Sequence, residues 1–417
     1  MKEMQELIEA AEALDAQKPS EAFARLSAAL GATAEPIEEE TLLSLRNYCA
    51  WLIGDWTDMP TMIANFRRVR QLRADRIKNA SRPTMLAAVA PVPGRLELAE
   101  LPVPDALAGW VTIRVRAFGL NRTEKFLEEG GWPVSALSPV APLVNGIECA
   151  GEVVTCGPPI GGAPALAPGT RVLACASSLG RGIDGTHAEY VVVPRWGVVA
   201  VPESGRELSW RELAAMPLSF ATAAGSLDAM DCRDGDTVLI RGGTSALGLS
   251  AIALAKHVMG CTVLATTRRA GATPMLQAAG ADVVLVEPDV RDQVRARYPD
   301  GVDCALDCIG ETTLKDTMRC VRRKGVLCQT GALNHVPGFG LRLLGEVPSS
   351  VKVTCFESDV LTGARMSAVI ARVVEAVQRG ALALPLDPVE FTLEEYPAAL
   401  DFLDSGERLG KVVVTVR

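Results

Sequence analysis

Apolar residues in the first eighty positions recur at helical spacing. Leu7, Ile8, Ala11 and Leu14 share one face, and Phe23, Leu26 and Leu30 share the next, between Pro19 and Gly31. A third run passes from about Ile37 through Leu42, Leu45 and Trp51 to Gly54. A fourth starts at Asp58, an N-cap residue with Pro60 early in the helix, and continues through Ile63, Phe66, Val69 and Leu72. The pattern predicts an all-helical segment over residues 1–82 that ends in a linker at Asn79–Pro83. Then the period changes. From 85 to about 205 short apolar runs are cut by Gly and Pro, among them Val111–Ala117, Ala150–Thr155, Thr170–Cys175 and Tyr190–Val193, which predicts β structure. From about 207 to 335 the predicted strands Thr237–Arg241, Thr262–Thr266, Val283–Val286, Cys304–Cys308 and Gly325–Thr330 alternate with helices at Leu247–Val258, at Ala272–Ala279 and after Thr312. That alternation predicts an α/β doubly wound parallel sheet. The tail carries one long helix pattern, about Gly363 to Arg379, and a closing strand, Lys411–Val416.

Composition narrows the function classes. The 417 residues are 48% hydrophobic and 22% charged, enough for two or three globular domains, and the net charge of -8 gives no long-range attraction to nucleic acid or anionic membrane. No apolar run is long enough to span a bilayer, and the acidic start has no apolar core of a secretory signal, so the expected compartment is cytoplasmic. The 11 cysteines form no C-x-x-C pair and read as small buried hydrophobes in a reducing compartment rather than as a structural zinc site. Arg67, Arg68, Arg70, Arg73, Arg76 and Lys78 crowd the end of the fourth helix. They read as a solvated face that suits a helix C-terminus, or as a docking surface for an acidic protein partner.

The sharpest chemistry lies in Val238–Lys256, VLIRGGTSALGLSAIALAK, where an apolar strand enters a glycine-rich turn and an Ala-rich helix leaves it. Gly242 permits the tight turn and Gly248 permits close helix–strand packing. Gly243, Thr244, Ser245, Ala246 and Leu247 lie between them, so that the first N–H groups of the helix face a pyrophosphate. Ser245 stands where the middle glycine of such loops usually sits, and its hydroxyl can donate to phosphate. The second strand ends in Thr267, Arg268 and Arg269 without the acidic residue that binds a ribose 2′-hydroxyl. Guanidinium groups there pair with a 2′-phosphate, so the expected cofactor is NADPH.

From about residue 84 onward the chain resembles the medium-chain dehydrogenases/reductases, and within them the zinc-independent quinone oxidoreductase branch. The stretches that carry the resemblance are RVRAFGLNRTE (Arg114–Glu124), GIECAGEVV (Gly146–Val154), PGTRVLA (Pro168–Ala174), DGTHAEYVVVP (Asp184–Pro194) and IRGGTSALG, followed by GADVVL, DCALDCIG, KGVLCQTGAL and the closing GKVVV. With the pattern shifts, the resemblance implies a GroES-like β-rich catalytic domain over 83–206, a Rossmann NADPH-binding domain over 207–345 and a return to the catalytic domain over 346–417. Similar proteins are commonly homodimers.

Zinc members of this superfamily carry a Cys, a nearby His and a Gly-His-Glu motif. This chain aligns Asn121, Phe126 and Ile147 with the three metal positions, so no catalytic metal is expected. Without a Lewis acid, a small-molecule conjugated acceptor is the easier substrate. Negative charge then delocalises onto an oxygen that needs only hydrogen-bond donors, which points to reduction of a quinone, enone or enoyl group. A tailoring reductase for a carrier-bound intermediate and a weakly catalytic NADPH sensor are the other readings. Candidate donors are Asn121, Arg122 and Lys125 on one side and His187 and Tyr190 on the other. The resemblance puts Asn121 at the nicotinamide ribose or substrate, makes Glu124 either a common family acid or a structural group, and gives Glu148 a structural role. Arg181 and Asp184 border the cleft or form a plain surface loop. For the cofactor the resemblance implies Thr222 near the nicotinamide, Cys308, Ile309 and Gly310 beside the ribose, Gly331, Ala332 and Leu333 near the nicotinamide, and Phe356 near its carboxamide. It leaves Lys411 as a cofactor contact or a salt bridge.

Overall fold

The computed structural model describes residues 83–417 except 93–94, 107–108, 129–142, 158–164, 177–178, 181–182, 332, 334–339 and 359–362, together with Ala24 and Arg68. The helical pattern expected over 1–82 therefore lies outside the described residues, as do Arg181 and Ala332.

The β-rich part begins with β1 (Thr84–Val92), β2 (Arg95–Pro102) and β3 (Trp110–Gly119), then helix α1 (Arg122–Glu128), β4 (Leu143–Val144), β5 (Glu148–Cys156), β6 (Arg171–Cys175), β7 (Tyr190–Pro194) and β8 (Val198–Ala200). Strands β2-β1-β4 form a small antiparallel sheet. The order β15-β16-β3-β5-β6-β8, with β7 also on β3, forms a seven-stranded sheet once the chain returns through β15 (Phe391–Thr392) and β16 (Val413–Thr415). Alternation along β3 explains its place. Val111, Ile113 and Val115 are buried, while Arg114 and Arg116 are only half-buried, and Arg116 reaches Glu152 at 2.7 Å on the neighbouring strand.

Helices α2 (Trp210–Ala214) and α3 (Pro217–Ala229) lead into the second unit. There β9 (Thr237–Arg241), α4 (Ala246–His257), β10 (Thr262–Thr267), α5 (Thr273–Ala279), β11 (Val283–Val286), α6 (Val290–Arg297), β12 (Val302–Asp307), α7 (Leu314–Cys320), β13 (Val321–Gln329) and β14 (Lys352–Cys355) follow, and α8 (Gly363–Gln378) comes after them. All pairings in the sheet are parallel, in the order β11-β10-β9-β12-β13-β14. This is the doubly wound order, whose switch point lies between β9 and β12. One expected boundary moves. Residues 352–355, expected in the returning segment, supply the sixth strand, so the dinucleotide-type unit extends past 345. Helix α9 (Tyr396–Asp404) and β16 then return to the first sheet, where Val413 pairs with Gly119.

Arg241 ends β9 directly beneath the glycine-rich turn and is 4% exposed. Its guanidinium forks onto Glu287 with two bonds of 2.9 Å and reaches Asp316 at 2.5 Å. It ties three neighbouring elements under the loop. Because both carboxylates keep some contact with water, Arg241→Met is expected to cost about 2 kcal/mol, below the range for a fully buried pair. Urea denaturation checks this, and an unchanged midpoint would refute it.

Candidate active site

Local backbone chemistry builds the nucleotide-type loop. Gly242 sits at φ +81°, a conformation that side chains resist. A Cβ on Gly248 would stand 2.4 Å from the Gly242 carbonyl oxygen, so only glycine lets the helix start this close to the strand. Ser245 is the N-cap of α4. Its hydroxyl accepts from Gly248 N at 2.9 Å and donates to Gly242 O at 2.8 Å. With these two bonds the Ser245 hydroxyl serves as a cap inside the turn. The open N–H groups at the start of α4 carry the anion-binding character.

A cleft of about 410 Å³ lies between the two units. Leu120, Asn121, Arg122, Thr123 and Ile147 line it from the first sheet, and Ser245, Ala246, Leu247, Cys308, Gly331 and Leu333 from the parallel sheet. Leu218, Ser219 and Thr222 from α3, Cys355 and Phe356 beyond β14, and Leu403 and Arg408 near the C-terminus complete it. The Thr222 hydroxyl oxygen is buried and has no hydrogen-bond partner. A buried hydroxyl left unpaired costs about 1–3 kcal/mol, which a bound polar group would recover.

Behind Asn121 lies a buried ionic network. Lys411 Nζ donates to Asn121 Oδ1 and to Glu148 Oε1, both at 2.5 Å. Asn121 Nδ2 donates to Glu148 Oε1 at 2.9 Å and to Glu124 Oε1 at 3.2 Å. Glu124 also accepts from the backbone N–H of Asn121 at 2.6 Å and of Ile147 at 3.3 Å. Glu148 Oε2 accepts from Leu218 N at 2.7 Å, at the positive end of α3, and so joins the two units. His187 faces Glu124 at 3.6 Å, takes Tyr396 OH at 2.8 Å on its other nitrogen and stacks on Phe118. Glu124, Glu148 and His187 are wholly buried, and Lys411 is nearly so. Burial pushes the Glu124 carboxyl up to about 8, against the lowering effect of Lys411. Burial, then Lys411, pushes the His187 imidazole down to about 3, so it is neutral across the physiological range.

The expected site residues divide accordingly. Asn121, Arg122, Thr222, Ser245, Ala246, Leu247, Cys308, Gly331, Leu333 and Phe356 come together on the cleft wall. Gly242 and Gly248 shape the turn, Gly243 packs under it against Thr266 and Ala265, and Thr244 is half-buried in it. Ile309 stands over Gly242, while the N–H groups of Ile309 and Gly310 both donate to Asp307 at 2.9 Å. Several expectations are corrected. Tyr190 packs beside the small cluster around Met85 and Ala188, on the outer sheet, because its strand pairs with β3 away from the cleft. Lys125 is ion-paired with Asp404. Glu124, His187 and Lys411 sit behind the cleft wall, and Lys411 forms the salt bridge rather than a cleft contact. Asp184 accepts from Val144 N at 3.2 Å, a structural role. Arg268 is exposed, the Thr267 hydroxyl accepts from Arg269 N at 3.1 Å, and Arg269 donates to the Gly406 carbonyl.

Arg408 was missed by sequence reasoning. Burial and the nearby charge of Arg122 hold its guanidinium below its usual value, with Arg269 adding to the effect. The only signal in the sequence was its place three residues before the closing Lys411.

Two family models match, the alcohol dehydrogenase GroES-like domain over residues 107–203 and the zinc-binding dehydrogenase over 246–372. A spectinabilin polyketide synthase protein from Streptomyces orinoci is 29% identical over 79% of this chain, which spans only 14% of that protein's length. The 2-methylene-furan-3-one reductase of Solanum lycopersicum is 28% identical over 75% of this chain and 73% of its own. A mycobacterial protein solved in complex with NADPH superposes with a TM-score of 0.69 at 25% identity, covering 79% of this chain and 99% of that one. No helix among the described residues is long and apolar enough to cross a membrane. The parallel sheet in doubly wound order, the mixed sheet to which the C-terminus returns and the two domain matches, together with similarity to a probable quinone oxidoreductase of Leishmania amazonensis (27% identical over 74% of this chain and 89% of its own), place this chain in the medium-chain dehydrogenase/reductase family, on its quinone oxidoreductase branch.

Proposed function

We propose that this protein uses NADPH to reduce a conjugated acceptor, a quinone, enone or enoyl group, without a catalytic metal. The observation that carries the reading is the cleft itself. It joins an anion-binding helix start to an apolar wall, and the side-chain hydrogen-bond donors on it include hydroxyls, amides and guanidinium groups. When bound, the nicotinamide supplies the hydride. Gly242 and Gly248 hold the turn that exposes the N–H groups of α4 to the pyrophosphate, and Thr222 offers its unpartnered hydroxyl to the nicotinamide end. Leu120, Ile147, Leu218, Leu333 and Phe356 exclude water, which strengthens the pull of Arg122, Ser219 and Thr222 on an oxygen that gains negative charge. Asn121 is a positioning residue, because its amide hydrogens point inward to Glu124 and Glu148. Phe126 carries no proton to give and the described cleft residues include no tyrosine or histidine, so the proton comes from water or from another residue of the cleft.

A zinc ion does not fit this wall. Ile147 offers no donor atom, the Asn121 oxygen is taken by an ammonium, and that ammonium repels a dication. The crowding of Arg122, Arg269 and Arg408 instead suits an anionic cofactor.

The polyketide synthase relatives favour one narrower reading, in which the acceptor is an enoyl thioester. A screen of quinones, enones and enoyl thioesters with NADPH and NADH tests the proposal, and absence of turnover with all three classes sinks it. The double substitution Arg268→Ala/Arg269→Ala is expected to cut the NADPH-over-NADH preference in kcat/KM by about 10- to 100-fold, or about 1.4–2.7 kcal/mol. An unchanged ratio would place the 2′-phosphate elsewhere.

A further inference from the structure

Three thiols and a carboxylate converge at the other end of the parallel sheet from the nucleotide-type turn. Cys232 lies just after α3, Asp236 just before β9, Cys261 just before β10, and Cys304 in β12. Strands β10, β9 and β12 are adjacent and parallel, with Thr262 opposite Thr237 and Cys304 opposite Val238. Residues far apart in sequence therefore meet at the N-terminal ends of these strands. Cys232 Sγ is 3.7 Å from Cys261 Sγ, and Cys232, Cys304 and Asp236 offer ligand atoms that all lie within 4.8 Å of one another. Thiolates held about 2.3 Å from a tetrahedral zinc ion stand roughly 3.8 Å apart, so the first pair already has the spacing of two zinc ligands.

We propose that Cys232, Cys304 and Asp236 bind one zinc-class divalent cation, separate from the cleft, and that Cys261, which lies outside this set but 3.7 Å from Cys232, turns in as the fourth ligand. None of the three cysteines is more than 9% exposed, which keeps competing water away. Asp234, Asp236 and Asp303 all lie near Cys261, and their negative charge favours a cation there. Asp236 accepts from Arg233 N at 2.8 Å through one oxygen, and this bond orients the carboxylate. In the metal-free state the thiols satisfy one another and the backbone. Cys261 Sγ donates to Arg233 O at 3.3 Å and Cys304 Sγ to Met230 O at 3.7 Å. Binding exchanges these protons for metal: three S–H bonds break, three protons go to solvent, three sulfur–metal bonds form, and the carboxylate adds an oxygen–metal bond. The ligand charge equals that of a four-cysteine site. The ion would clamp the turn after α3 to the base of the sheet, a structural role that the lack of any C-x-x-C spacing conceals in the sequence.

The test uses the full chain, purified reduced and without chelator. Metal analysis is expected to find one zinc per chain. After metal removal, Co²⁺ titration is expected to give a one-to-one complex with a thiolate-to-cobalt charge-transfer band and the strong visible absorption of a tetrahedral ion. Zn²⁺ should displace it, and binding should weaken as the pH falls, because protons compete. Cys304→Ser and Asp236→Asn are each expected to weaken binding by at least about 10-fold without changing NADPH affinity. Asp236 is half-buried at the rim, so its variant keeps the test available if the cysteine variant does not fold. A missing charge-transfer band, a band unaffected by both substitutions, or a Cys232–Cys261 disulfide as the resting form of the reduced preparation would each overturn the proposal.

Discussion

Lys411→Met is expected to destabilise the protein by about 3–5 kcal/mol near neutral pH, the cost of leaving a buried charge uncompensated. The lysine ammonium is the cation bonded to Glu148, and it also lowers the pKa of Glu124; both carboxyl groups are wholly buried. The loss should depend on pH in a defined direction. Burial already raises the Glu124 carboxyl from 4.5 to about 8, so the folded state holds a proton that the unfolded state releases between those values. Its contribution to stability therefore falls as pH rises through that window and levels off above it. Removing Lys411 takes away the influence that opposes this rise, so the variant should lose more stability at about pH 8 than at about pH 5. His187, pushed down to about 3, works the other way, adding stability as pH rises from about 3 to its ordinary value of 6.5. Lys411 contributes to that lowering, so its removal lets the His187 value rise, which eases the loss at about pH 5 and leaves it unchanged at about pH 8, in the same direction as Glu124. Urea denaturation of both proteins at the two pH values decides the matter. An equal loss at both would mean that Lys411 acts through packing rather than charge.

The second large effect is expected from Gly248→Val, which should lower NADPH affinity by about 100-fold, or about 2.7 kcal/mol. A Cβ at this position would stand 2.4 Å from the Gly242 carbonyl oxygen and 2.9 Å from Gly243 Cα. Both are backbone atoms, so the collision is relieved only by moving the turn away from the helix. That movement also disturbs the Ser245 cap and the N–H groups at the start of α4, on which the proposed pyrophosphate contact depends. Quenching of protein fluorescence by NADPH measures the affinity, and thermal unfolding separates loss of binding from loss of fold. Affinity within about threefold of the parent would show that the pyrophosphate does not rest on this turn.

Strands with strong local patterns were legible in the sequence. Thr237–Arg241 and Val283–Val286 have the expected bounds, because continuous apolar runs between turn residues read as buried parallel strands. The glycine turn was legible for the same reason: its conformational demand falls on single residues. Other elements carried weaker signals. Helix α3 is apolar on nearly every side because it packs between α4 and α8, so no amphipathic stripe marked it. Strand β14 has mostly exposed or half-buried residues at the edge of the sheet and lacks a long apolar run. The candidate donors were chosen by residue type and sequence proximity, which does not reveal which way a side chain faces. Glu124 and Lys125 are neighbours on one short helix, yet one is wholly buried and the other pairs with Asp404.

The sequence alone determined the change from β structure to alternating strands and helices, the glycine turn and the lack of an acid after Thr267, because each of these depends on a few neighbouring residues. Tertiary structure decided what lies on the cleft wall and what lies behind it. Asn121, Glu148, His187, Tyr396 and Lys411 come from five separated parts of the chain, and only the antiparallel pairing of β16 with β3 and of β3 with β5 carries them into one buried network. The same holds at the far end of the parallel sheet, where strand register brings together cysteines that share no local motif. Local patterns fix backbone conformation, whereas the dielectric, the charge partners and hence the chemistry of a side chain depend on distant residues that the fold packs around it.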